Sequence, residues 1–63
     1  MKVSEMKRLL RKAGCRKVRE GGEHERWYSP ITGLTFSVSR HDSQELKTKT
    51  AESIKRDAGI KDA

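Results

Sequence analysis

The chain has 63 residues, 15 of them Lys or Arg and 9 Asp or Glu, which leaves a formal net charge of +6. That length allows one domain, residues 1–63, with a thin core, and at 32% hydrophobic and 38% charged residues the core has little stability to spare. No run of about 18 apolar residues exists, which excludes a membrane-spanning helix. The opening Met1–Lys7 lacks the apolar stretch of a signal peptide, so a cytoplasmic location is expected. The single cysteine, Cys15, cannot form an internal disulfide and reads as a small buried apolar residue.

In chain order, Ser4 is a candidate N-cap with Glu5 in the first turn behind it. Met6, Leu9, Leu10 and Ala13 then recur at helical spacing, and Gly14 supplies a C′ stop. The polar face of this helix is expected to carry Lys7, Arg8, Arg11 and Lys12. Cys15 to Arg19 is a short strand of weak alternation, and Glu20-Gly21-Gly22-Glu23 is a turn, because paired glycines accept positive φ. His24 to Ser29 forms a second strand. Pro30-Ile31-Thr32-Gly33 forms the next turn. Leu34, Phe36 and Val38 alternate with Thr35, Ser37 and Ser39, the clearest half-buried strand in the chain. Arg40 to Lys47 is a polar connection holding Leu46. Thr48 or Lys49 opens a second helix, which buries Ala51, Ile54 and Ala58 and stops at Gly59.

The order α-β-β-β-α has a compact solution, an α+β two-layer sandwich. It places both helices on one face of a three-stranded antiparallel sheet and leaves the other face to solvent or a partner. Side chains alternate between the two faces of a strand. With Trp27 in the core beside Phe36 and Val38, the residues His24, Arg26 and Tyr28 point to the open face.

Charge is concentrated early. Residues 1–19 hold eight basic side chains and one acid, Glu5. Such a cluster favours an anionic partner, nucleic acid before a membrane surface or an acidic protein. On the open face His24 is the side chain whose ordinary pKa lies nearest neutrality, suited to both taking and giving a proton. One cysteine and two histidines seventeen positions apart offer no zinc spacing, and no phosphate-binding glycine loop is present, so neither metal nor cofactor is expected.

Several of these motifs resemble the HicA toxin family, small RNA-cleaving proteins paired with a HicB antitoxin. The family's Gly-Ser-His with an aromatic residue three positions on stands here as Gly22-Glu23-His24 with Trp27. Pro30 and Gly33 match the following turn, and His41 matches a histidine near the end of the third strand. The lead-in to the last helix reads Leu46-Lys47-Thr48-Lys49-Thr50, with Thr48-Lys49 where the family has Pro-Gly. Glu23 replaces the family's serine beside the histidine.

The resemblance implies a double-stranded-RNA-binding-domain-like fold and metal-independent cleavage of messenger RNA. It also implies His24 as the catalytic residue and a HicB-like antitoxin over the His24 face, with room for a higher-order toxin–antitoxin complex. RNA supplies its own nucleophile, the 2′-hydroxyl. Cleavage then needs a base, an acid and cations at the phosphoryl oxygens. Beside His24, candidate RNA contacts are Gly22, Arg26, Tyr28, Lys47 and Lys49; His41 reads first as a loop or turn histidine and second as a further acid or base. Two other readings remain open: a non-catalytic RNA-binding module of the same fold, and an interaction domain serving an acidic protein.

Overall fold

The computed structural model describes residues 1–61. Helix α1 (Val3–Lys12) leads into strands β1 (Arg16–Gly21), β2 (His24–Tyr28) and β3 (Thr35–Ser39), and helix α2 (Thr48–Ala58) follows. The sheet is antiparallel in the order β1-β2-β3, as expected. Val3, Met6, Leu10 and Cys15 pack with Trp27, Phe36 and Val38 from the sheet and Ile54 and Ala58 from α2. One inner sheet face and both helices therefore share a single core, and no helix among the described residues is long and apolar enough to cross a membrane.

Element ends differ from the expected ones for local reasons. The cap position of α1 is Lys2, not Ser4, which lies inside the helix. Glu5 Oε1 accepts the Lys2 N–H at 3.0 Å. The N–H groups of Val3 and Ser4 donate to the carbonyls of Gln44 (2.9 Å) and Asp42 (3.0 Å). The connection before α2 thus satisfies donors that a helix start otherwise leaves orphaned, and no side-chain cap is needed. At α2 the cap position is Lys47, again without a side-chain cap, so Thr48 is the first helical residue.

β1 runs to Gly21, two residues past the expected end. Gly21 pairs with His24, which leaves a two-residue hairpin loop, Gly22-Glu23, with Gly22 at φ 29°. β2 stops at Tyr28. Ser29 is fully buried beyond it, donating from Oγ to the Ala58 carbonyl at 2.6 Å. Leu34, expected inside β3, belongs to the preceding turn and is half exposed; its N–H donates to Thr32 Oγ1. Thr32 Oγ1 in turn donates to the Asp57 carbonyl at 2.6 Å, so the β2–β3 turn holds the end of α2.

Lys7 is the main departure. It was expected on the solvent face of α1 and is instead buried. Val3, Met6, Lys7 and Leu10 follow the i, i+3, i+4, i+7 stripe, which faces the core of an amphipathic helix.

Candidate functional site

The register of β2 decides which side chains meet. Trp27 pairs with Phe36 and Glu25 with Val38, so these residues face the core. His24, Arg26 and Tyr28 pair with Ser39, Ser37 and Thr35 and face outward, as the parity reading expected.

The inner face is tied together by charge. Lys7 Nζ lies 3.1 Å from Glu25 Oε1 and 2.6 Å from Asp42 Oδ1, and Trp27 Nε1 donates to Glu25 Oε1 at 3.0 Å. The Glu25 side chain is only 12% exposed. Burial disfavours its charged form, but hydrogen bonds from Trp27 and Lys7 and the charges of Lys7 and Lys17 outweigh that and hold the carboxyl below its ordinary range. Asp42 is likewise held low by its hydrogen bond from Lys7. This network connects α1, β2 and the connection leading to Lys47.

The outer face is arranged differently. His24 is exposed, and its imidazole makes no hydrogen bond or ion pair within the described residues. It lies where two concavities meet. The first, about 310 Å³, is lined by Glu20, Gly21, Gly22, Glu25 and Arg40 beside His24. The second, about 370 Å³, runs between His24, Ser37 and Ser39 on the sheet, Glu45 and Lys47 before α2, and Thr50 and Ile54 on its first two turns. Ser37, Thr50 and Ile54 also line a third, about 500 Å³, which carries Arg26 and Lys49. The fold therefore gathers Gly22, His24, Arg26, Lys47 and Lys49 around adjoining hollows.

Tyr28 lies apart, at the other end of β2, with Arg16 over its ring at 5.2 Å from the centroid. Arg26 is less free than its sequence position suggests. Its two terminal nitrogens donate to Ser37 Oγ and Thr35 Oγ1, both at 2.8 Å. His41 Nε2 lies 2.9 Å from Glu23 Oε2. That contact, a hydrogen bond reinforced by charge, holds the Glu23 carboxyl below its ordinary range. The glutamate in the serine position is thus drawn toward His41.

Arg40 is the cation that sequence reasoning left out. The sequence puts it in a polar connection; in the structure its N–H donates to the Glu23 carbonyl at 3.2 Å and its Nη1 to the Gly22 carbonyl at 3.0 Å. These bonds carry the β2–β3 pairing one step further and bring a guanidinium to the hollow beside His24. The missed signal is positional: Arg40 follows Ser39, the partner of His24 in the register.

Fold and site together define a class: a small α-β-β-β-α sandwich whose open, cation-lined sheet face carries an exposed histidine beyond a glycine turn. Over residues 3–60 the chain matches the family described as HicA toxin of bacterial toxin-antitoxin, and it belongs to that family of toxins. Comparison with curated proteins and with solved structures finds no match.

Proposed function

We propose that this toxin is an endoribonuclease that cuts messenger RNA without a metal, with His24 as the catalytic acid or base. One observation carries the reading. The imidazole of His24 is unengaged at the junction of two hollows, with Arg40 lining one and Lys47 the other.

A phosphate seated there meets a proton-transfer group between two cations. The imidazole takes the proton from the 2′-hydroxyl as that oxygen attacks phosphorus, or gives one to the departing 5′-oxygen. The cations stabilise charge on the phosphoryl oxygens. Lys47 stands at the N-terminus of α2, where backbone N–H groups also favour an anion. Gly22 leaves the hairpin loop open, since nothing lies within 4 Å of where its Cβ would be.

In this reading a HicB-like antitoxin covers the His24 face in the cytoplasm, and acid-to-base contacts make the association salt-sensitive. The antitoxin complex is expected to cut RNA more slowly than the free toxin.

The test is cleavage of a labelled single-stranded RNA in EDTA by the chain and by a folded His24→Ala variant. Loss of general acid–base catalysis is expected to slow cutting by about 10²–10⁴-fold. Equal cutting by both proteins would move the assignment away from His24. Binding by both with cutting by neither would make the chain an RNA-binding module.

A further inference from the structure

The open face has a second end, and the path to it is built at some cost. Residues facing one another across an antiparallel pair share a face, so Arg16 with Tyr28, Arg19 with Arg26, and Gly21 with His24 all point outward. Arg19 reaches this face because the register shifts at Val18, between Lys17 and Arg19. In a regular ladder without the bulge, Val18 would oppose Arg26 and Arg19 would oppose Glu25 on the inner side. The bulge thus sets two arginines directly across from each other on exposed sheet, an arrangement that destabilises a sheet by itself. Arg26 turns toward β3, bonded to Ser37 and Thr35. A row of like charge on an uncovered face calls for a polyanion.

At the far end of the row, the Arg16 guanidinium carbon lies 5.2 Å from the Tyr28 ring centroid. A cationic planar group thus sits over an aromatic ring there, in cation–π range. We propose that Arg16 and Tyr28 form a base-stacking subsite for single-stranded RNA, seating a nucleobase about two nucleotides from the phosphate cut at His24. Tyr28 lies four residue steps along the strand from His24, about 13 Å at the usual rise. An extended single strand covers that span in about two nucleotides, with its phosphates along Arg19 and Arg26. Aromatic rings and guanidinium planes both stack on bases without demanding a sequence. An acidic peptide would meet the arginines but leave the Tyr28 ring without a role. The subsite rests on the ribonuclease reading for its register, though not for its ability to bind.

The test uses a hexamer of deoxynucleotides with a single ribonucleotide, which fixes the cut. Removing the base two positions to one side of the cut is expected to slow the wild-type chain about tenfold, the scale of one lost stack. Tyr28→Ala is expected to slow the intact hexamer by a similar factor, with no further loss on the abasic one, while Tyr28→Phe keeps the wild-type preference. Fully multiplicative losses, or no loss in Tyr28→Ala, would overturn the subsite. If the wild-type chain cuts no RNA, the ribonuclease reading fails. The subsite is then judged by binding of an all-ribose hexamer, which should be about tenfold weaker in Tyr28→Ala. Equal binding with and without the ring would overturn it and leave the face to an acidic protein.

Discussion

The two faces of β2 are made by alternate residues of one five-residue strand, and they are finished to different standards. On the inner side Glu25 and Trp27 bond to each other, and Lys7 neutralises the carboxylate. No buried side-chain nitrogen or oxygen among the described residues lacks a hydrogen-bond partner. On the outer side the His24 imidazole is unpaired and two arginines face each other across the pair. A protein of this size cannot leave polar groups unmatched inside, but it can keep an unfinished surface for a ligand. One parity of the strand therefore carries stability, and the other is the one to which the proposed function is assigned.

The sharpest way to break that division is Trp27→Ala. Removing the largest fully buried side chain is expected to cost about 4 kcal/mol, enough in a small domain to abolish a cooperative urea transition. Lys7→Met comes next, at about 3 kcal/mol, because it strands the Glu25 carboxylate against the core. Adding Glu25→Gln to Lys7→Met should restore part of the loss, and a double-mutant cycle by urea denaturation measures the coupling.

Acid probes the same network more gently. The folded-state pKa of Glu25 is depressed, so its contribution is present above the unfolded carboxyl value of about 4.3 and is lost as pH falls through the lower folded value. Between neutral pH and pH 3 (roughly one unit below that reference), the urea midpoint of the wild-type chain should therefore drop further than that of Glu25→Gln. Asp42→Asn is expected to have a smaller effect, because Asp42 is exposed, and one that shrinks further in added salt. At the bottom of the scale, His24→Ala should leave the urea midpoint unmoved. A clear fall there would mean that the outer face also holds the fold together.

Much of this was legible in the chain. The glycine hairpin, the alternation at Phe36 and Val38, and the parity placing His24, Arg26 and Tyr28 outward all hold in the structure. The Lys7–Glu25 pair was also within reach. Lys7 falls on the apolar stripe of α1, and Glu25 has the parity of Trp27, so a base and an acid were both directed at the core. Reading Lys7 by its charge, not its spacing, hid that. Leu34 fails in the opposite direction: its alternation fits a strand, but the Thr32 hydroxyl and Ser29 claim its backbone for the turn.

Local rules thus determined the order of the elements and the sidedness of β2 and β3, because helix and strand periods are carried by neighbouring residues. Tertiary structure alone decided the rest. The caps of α1 became carbonyls from a connection some forty residues on, Arg40 came to the hollow beside His24, and a bulge without a sequence mark turned Arg19 outward. Each depends on which distant backbone group is left unpaired, and that is settled only when the sheet and helices close on one core.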